Sequence, residues 1–273
     1  MAMRATKKPV WQDWNINLAS AGVNLQSVTR LAVGIETKGT SGTLLLDDIR
    51  LYPLPRQVVT PVQPAATGLA ARYAFEGNAN DSAGGHNGTP NGGPTYVLGK
   101  IGQAISLDGV DDYVAVGSVG ISGAAPRSIA GWAKMNVTTG IPDWTNVFGF
   151  SATGANNLHF DIEVVGSGAT TAGYYGIHVY GWEQNILPPD LEWHHFAATY
   201  DGTRISWYGD GLLIGSEVHA GLNTQGDVRI GKRIDTGGFF PGLVDEVQIY
   251  SRVLSEAEVA GLAGMTKQFD KPL

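Results

Sequence analysis

Apolar and polar residues alternate along this chain in short segments, and turn residues separate the segments. A period of two predicts β-strands, because successive side chains of a strand point to opposite faces. The segment Gly209-Asp210-Gly211 indicates a hairpin turn. Ser255 and Glu258 have the spacing of a capping box and predict one helix near the end. From Gly68 onward the pattern predicts strands at Ala70–Phe75, Ala104–Leu107, Tyr113–Val116, Arg127–Met135, Thr145–Ser151, Leu158–Val165, Tyr174–Gly181, Trp193–Tyr200, Arg204–Tyr208, Leu212–Glu217, Asp227–Ile230 and Gly242–Tyr250.

The predicted fold class is all-β: a two-sheet antiparallel jelly-roll sandwich with a short C-terminal helix, plus a partial N-terminal β segment. The last strand, Asp245 to Tyr250, has a near-copy at Asp47 to Tyr52, which indicates the end of a second sandwich. Strands predicted at Trp11–Leu18, Val28–Ile35 and Thr43–Tyr52 are too few for a sandwich of about seven strands. We interpret the chain as a disordered leader (1–10), a partial sandwich whose first strands precede Met1 (11–53), a Pro-rich linker (54–67), a jelly roll (68–264) and a tail (265–273).

Composition narrows the classes of function. A formal charge of −7 without a Lys/Arg cluster argues against nucleic acid as a partner. No apolar run reaches the ~18 residues that a membrane span requires. The N-terminus lacks the apolar stretch of a signal peptide. The chain has no cysteine, so a bound metal ion would be more valuable as a cross-link.

Five segments of the jelly-roll region resemble the laminin G-like, concanavalin A-like domains of bacterial extracellular proteins. They are Gly68–Phe75, Ile105–Val114, Ile129–Trp132, Glu192–Gly202 and Pro241–Tyr250. The region before Pro53 is similar to the tail of a galactose-binding-type sandwich, as in carbohydrate modules. The resemblance implies a secreted or cell-surface domain of a larger protein that binds a polysaccharide, a glycoprotein glycan or a protein surface. It also implies a frequent structural Ca²⁺ and seldom catalysis.

Three aspartates are candidate calcium ligands. Alternation places Asp245 on the same face as Val247 and Ile249, and a carboxylate on a core face needs a partner or a cation. Calcium takes six to eight oxygen ligands, which the loops around Asp81 and Asp108 could complete. By the resemblance, the strand-end aspartate is the first choice. The alternative is that Asp81 and Asp108 shape turns and Asp245 accepts backbone N–H bonds.

A polar and aromatic face is the candidate ligand site. Alternation puts His159, Asp161 and Glu163 on one face of a strand, and His178, Tyr180 and Trp182 on one face of the next. If Val165 pairs with Tyr174, Asp161 lies opposite His178 and His159 opposite Tyr180. Aromatic rings that stack on sugars, beside carboxylates and imidazoles that bind hydroxyls, would hold a glycan. Trp144 would lie at the edge of this face, although Trp144 and Trp182 could equally lie at the edge of the core.

Two alternatives to binding stay open. The pentad His159 to Glu163 resembles the Glu-x-Asp-x-Glu strand of laminarinase-type β-glucanases, which would make Asp161 and Glu163 candidate catalytic residues. His159 stands in the nucleophile's place, so the retaining mechanism would lack an essential group. The other alternative is a structural adhesion or spacer domain. The histidines show no zinc motif, since the adjacent pair His194-His195 must face opposite ways in a strand.

Overall fold

The computed structural model of the protein describes residues 58–154, 156–166, 173–235 and 238–270. The chain divides into two compact units, Met1–Gln57 and Val58–Leu273, and the described residues belong to the second. The strands predicted before Pro53, including the Asp47–Tyr52 repeat, therefore lie outside the described residues and stay predictions. No helix in the described ranges is both long enough and apolar enough to span a membrane.

Seventeen strands and one helix make up the described part of the chain. In chain order they are β1 (Val58–Val59), β2 (Leu69–Tyr73), β3 (Thr89–Asn91), β4 (Thr95–Leu98), β5 (Gln103–Asp108), β6 (Tyr113–Ser118), β7 (Arg127–Met135), β8 (Thr145–Phe150), β9 (Phe160–Val164), β10 (Tyr175–Val179), β11 (Trp182–Leu187), β12 (His194–Tyr200), β13 (Arg204–Gly209), β14 (Leu212–Val218), β15 (Asp227–Ile230), β16 (Pro241–Tyr250), α1 (Glu256–Leu262) and β17 (Phe269–Asp270).

The strands form two antiparallel sheets, which confirms the predicted fold class. The seven-stranded sheet has the order β11-β10-β9-β8-β15-β6-β3. The eight-stranded sheet has the order β14-β13-β12-β7-β16-β5-β4, with β2 also paired to β16. Strands adjacent in space are often distant in sequence, as in β8 and β15, so residues far apart along the chain meet on one sheet face.

The core consists of alternate apolar residues of both sheets. Phe148 and Ile162 belong to the seven-stranded sheet, and Ile129 and Phe196 belong to the eight-stranded sheet. All four side chains are completely buried in one continuous cluster. Because strand residues alternate between faces, the polar positions of β8, β9 and β10 point away from this core.

Most of the predicted strands match the structure, and the missed strands lie mainly at the sheet edges. β7 and β15 have the predicted bounds. The edge strand β3 contains Pro90, and β11 has a burial pattern without alternation. β1 and β17 pair with each other and lie in segments predicted to be linker and tail. The prediction missed these two strands because each has only two residues, which is too few to show an alternation of apolar and polar side chains.

The predicted helix is confirmed together with its capping box. The Ser255 hydroxyl accepts a hydrogen bond from the Glu258 backbone N–H, and the Glu258 carboxylate accepts one from the Ser255 N–H. The Glu258 carboxylate also forms an ion pair with Arg252 at 2.7 Å. These contacts satisfy N–H groups that every helix leaves free at its start.

Candidate ligand-binding face of the seven-stranded sheet

The pairing of β9 with β10 has the register expected from the sequence. The Val165 N–H donates to the Tyr174 carbonyl at 2.8 Å, and His178 lies opposite Asp161. Next to this pair, the ring of His159 lies beside the ring of Tyr180, with their centroids 5.9 Å apart. A shift of one residue would have moved these side chains to the core face, so this register is what brings them together.

Five buried side chains form a polar cluster on the outer face of β8, β9 and β10: Asn146, His159, Asp161, Glu163 and His178. The Asn146 side-chain amide donates to Asp161 Oδ2 at 2.6 Å, and His178 Nδ1 lies 3.1 Å from Asp161 Oδ1. His178 Nδ1 also lies 3.5 Å from Glu163 Oε2. The cluster combines two imidazoles, two carboxyl groups and an amide, and Asp161 is hydrogen-bonded to both Asn146 and His178.

A chain segment on the same face contributes to the burial of the polar cluster. Arg233 is buried and forms two contacts of 3.1 Å with the Asp235 carboxylate. Asp235 Oδ2 lies 3.9 Å from His159 Nε2, and the Ile234 N–H donates to the Ser151 hydroxyl at 2.9 Å. These contacts hold residues 233–235 beside His159, and all five side chains of the polar cluster are buried.

Burial and mutual contacts shift the ionisation of the polar cluster. Burial, together with Asp161 and Glu183, raises the pKa of Glu163 well above its ordinary value. Burial acts the same way on Asp161, but the neighbouring His178, His159 and Arg233 outweigh it and lower the pKa of Asp161. Burial lowers the pKa of His159. Asp161 is therefore the ionised carboxylate, and the shifts favour the neutral forms of Glu163 and His159.

Two exposed aromatic side chains, Trp144 and Tyr180, border the polar cluster, and we call them the aromatic rim. Tyr180 is 37% exposed, and its ring lies against the rings of His159 and His178. Trp144 is 39% exposed, and its indole N–H donates to Glu183 Oε2 at 3.2 Å. Glu183 is the β11 residue opposite His178, so the rim and the cluster share one sheet face.

The absence of a side chain at Gly166 leaves room for the Trp144 ring. A Cβ atom on Gly166 would come within 2.4 Å of Cε2 of the Trp144 ring. Such an approach is impossible for any other residue without moving the ring. The indole therefore lies directly over the backbone at Gly166, with much of its surface open to solvent.

Trp182 faces the other way, and the expectation that it shares a face with His178 and Tyr180 is wrong. It pairs with Val179, a core residue, and packs against the core. The centroid of its ring lies 5.6 Å from that of the Trp207 ring and 5.2 Å from that of the His219 ring. The reason is that β10 ends at Val179 and a turn follows, which restarts the alternation at Trp182.

Asp245 also lies on a different face from the one predicted. Glu246 has φ +50°, and the pairing shifts between Asp245 and Gln248, so a β-bulge interrupts the strand. Val244, Val247 and Ile249 face the core, whereas Asp245 belongs to the opposite face. Asp245 Oδ2 accepts the Ile101 N–H at 2.9 Å, and burial raises the pKa of Asp245 to about 6. Its Oδ1 has no hydrogen-bond partner in the described part of the chain.

The other two predicted calcium ligands have the contacts of turn residues. Both Asp81 oxygens accept backbone N–H bonds, from residues 72, 83, 84 and 86. Asp108 Oδ1 accepts the N–H groups of the three residues after Gly109 at 2.8 to 3.4 Å. Donors that surround a carboxylate in this way compete with a cation, so Asp81 does not fit a calcium ligand. The carboxylates of Asp108, Asp111 and Asp112 lie within 4.8 Å of one another.

The residues of the enzyme alternative lie in the polar cluster. Asp161 and Glu163 have no exposed surface, and His159 occupies the position of the expected nucleophile. Sequence reasoning missed Asn146, Glu183, Arg233 and Asp235. Asn146 precedes a register shift in β8, and Arg233 lies outside any strand, so neither position follows a readable period.

Comparison with known proteins identifies the family. Residues 108–260 match the concanavalin A-like lectin/glucanases superfamily, and the chain belongs to this family. No curated protein gives a significant match.

Solved structures share the fold at low sequence identity. One is domain 4 of AbnA, a GH43 extracellular arabinanase from Geobacillus stearothermophilus, in complex with arabinotriose: TM-score 0.59, 24% identity, covering 71% of this chain and 98% of that one. The binding domain of botulinum neurotoxin DC in complex with SialylT has a TM-score of 0.54 and 14% identity, covering 73% and 51%. A sialidase of Trypanosoma rangeli has a TM-score of 0.52 and 15% identity, covering 75% and 36%. The chain thus spans about half of the neurotoxin binding domain, and these likenesses show the fold alone.

Proposed function

We propose that this protein is a secreted glycan-binding module and that the aromatic rim, Trp144 and Tyr180 with Glu183 beside them, is its binding surface. The observation that carries the proposal is the pair of exposed aromatic rings on one sheet face, next to an accessible carboxylate and above a polar floor.

The chemistry of the rim suits a sugar. Flat rings pack against the C–H faces of pyranoses and furanoses, and a carboxylate accepts their hydroxyl groups. Tyr180 is supported from below by His159 and His178, and Trp144 by Gly166. In this proposal the buried polar cluster holds the rings in position, while Glu183 and the rings contact the glycan.

Two of the similar structures supply the analogy for a binding module. The AbnA domain is one part of an extracellular enzyme and was solved with arabinotriose, and a neurotoxin binding domain was solved with SialylT. By analogy this chain would act outside the cell as part of a larger protein and bind a polysaccharide or a glycoprotein glycan. Analogy of fold does not select the sugar.

A glycan screen of the full chain, followed by calorimetry on the best ligand, tests the proposal. Trp144→Ala and Tyr180→Ala should each weaken binding about two- to tenfold, because a stacked ring contributes about 0.5 to 1.5 kcal/mol in such contacts. Leu98→Ala is the matched control, since Leu98 is 87% exposed on β4 of the other sheet.

Each other outcome has a definite meaning. Binding that survives both ring substitutions would contradict the proposed surface. Release of reducing ends that disappears in Glu163→Gln would identify the enzyme alternative. If the folded protein neither binds nor cleaves any glycan, the remaining interpretation is a structural adhesion or spacer domain.

We also propose that a structural calcium ion, if the protein binds one, contacts Asp245. Support comes from its Oδ1 atom, which is buried and without a hydrogen-bond partner in the described ranges. Thermal melting with EDTA and with added Ca²⁺ tests this. The midpoint should rise with Ca²⁺ and the rise should vanish in Asp245→Asn, because a ligand stabilises the state that binds it. An unchanged midpoint would exclude the ion.

A further inference from the structure

We infer that His159, Asp161 and His178 form a binding site for a divalent transition-metal ion such as Zn²⁺. Each residue offers one ligand atom, and these atoms all lie within 4.8 Å of one another. All three side chains are buried, on the strands β9 and β10 or directly before them. The site lies beneath the proposed glycan surface and does not depend on that proposal.

The spacing of the ligand atoms suits one small ion. A tetrahedral ion with bonds of about 2.0 to 2.1 Å places its ligand atoms about 3.3 Å apart. His178 Nδ1 lies 3.1 Å from Asp161 Oδ1 and 3.5 Å from Glu163 Oε2. His178 Nδ1 and Asp161 Oδ1 are therefore near the separation that such an ion requires, and the ligand atom of His159 lies within 4.8 Å of both. Glu163 could supply a fourth ligand.

His159 gives an independent reason for an ion. Its side chain is completely buried, and neither of its ring nitrogens has a hydrogen-bond partner in the described part of the chain. Leaving buried polar atoms unpaired is costly, and native structures rarely tolerate it without a function. A metal ion bound to one of these nitrogens would remove part of that cost.

The surroundings of Asp161 favour the same interpretation. The Asn146 amide donates to Asp161 Oδ2 and leaves Oδ1 facing His178. Carboxylates that bind metals are commonly fixed by such a hydrogen bond on the other oxygen. The positive charge of Arg233 is balanced by its two contacts with Asp235.

The donor set selects the kind of metal. Two imidazoles and one carboxylate suit zinc and the neighbouring divalent transition metals, whereas calcium needs six to eight oxygen atoms. The register of β9 and β10 assembles the site, since Asp161 and His178 are 17 positions apart in sequence. This separation explains why the sequence showed no zinc motif.

Titration of the chelator-treated full chain with Zn²⁺ alone, followed by calorimetry and thermal melting, tests the inference. We expect one equivalent to bind and the midpoint to rise. His159→Gln and His178→Gln should each weaken binding at least about tenfold, since even residues behind the ligands affect affinity by about 10- to 100-fold.

Two histidines outside the site are matched controls. His195→Gln alters an equally buried histidine of the other sheet, and His194→Gln alters a surface histidine between two aspartates. Both variants should bind Zn²⁺ like the unmutated protein. Loss of binding in His194→Gln alone would assign the ion to the surface and overturn the inference.

A measurement on the unmutated protein guards against variants that fail to fold. Bound Co²⁺ should give the intense visible bands of a four-coordinate ion, and X-ray absorption of the Zn²⁺ form should count two imidazoles. Absence of stoichiometric binding to protein that circular dichroism shows to be folded would refute the site, as would a count of no imidazole.

Discussion

The contact of His194 with two aspartates makes the stability of this domain dependent on pH. His194 Nδ1 lies 2.8 Å from Asp210 Oδ2, and Nε2 lies 2.9 Å from Asp190 Oδ2. The hydrogen bond to Asp210 raises the pKa of His194 to about 9, with a further contribution from Asp190 and against the effect of burial. The contact joins the turn between β13 and β14 to the segment before β12.

The direction of the effect follows from linkage. The folded protein holds the His194 proton more tightly than the unfolded chain, whose histidine has a pKa near 6.5. The stabilisation is therefore complete below about pH 6.5 and is lost as the pH rises through about 9. A shift from 6.5 to about 9 would correspond to about 3 kcal/mol at ~1.36 kcal/mol per unit. The Asp190 and Asp210 side chains are 42% and 46% exposed, so solvent screening reduces the expectation to about 1 to 2 kcal/mol.

Urea unfolding of the unmutated protein and of His194→Gln, at about pH 5.5 and about pH 10, measures the pH-dependent stabilisation that His194 contributes. The free energy of unfolding lost on substitution should be about 1 to 2 kcal/mol larger at the lower pH. The comparison cancels the contribution of His195, whose pKa is lowered to about 3 by burial and whose effect runs the opposite way.

Asp210→Asn, alone and combined with His194→Gln, completes a double-mutant cycle. The pH-dependent part of the cost of His194→Gln should be smaller in the Asp210→Asn background, where only Asp190 still contacts His194. A cost of His194→Gln that is the same at both pH values would refute the reasoning, because the contact would then contribute no charge-dependent stability.

Two further predictions concern the stability of the fold. The buried Arg127 donates hydrogen bonds to the carbonyls of residues 122, 123 and 125. Arg127→Met leaves these carbonyls without their donor and should cost about 3 to 5 kcal/mol in urea unfolding, at about 1 to 3 kcal/mol for each unsatisfied group; a cost below about 1 kcal/mol would show that water replaces these bonds. Ser255→Ala removes the capping box and should cost about 1 kcal/mol, with faster hydrogen exchange confined to α1; unchanged exchange there would contradict the capping role.

The sequence determined the fold class and most of the strands, because alternation is a local property that each strand carries by itself. The β9–β10 register required one assumption, the pairing of Val165 with Tyr174; the structure confirms this pair, and with it the position of Asp161 opposite His178. The helix was readable because its cap consists of two residues three positions apart. Where a rule involves only neighbouring residues, the sequence is sufficient.

The tertiary structure decided what happens where the period breaks or distant segments meet. One extra residue at Glu246 turned Asp245 away from the core, and one turn after Val179 turned Trp182 toward it. The segment at residues 233–235, which has no period, lies beside the buried His159. Burial, and with it the ionisation of those groups, depends on contacts between residues far apart in sequence, which alternation along a single strand cannot encode.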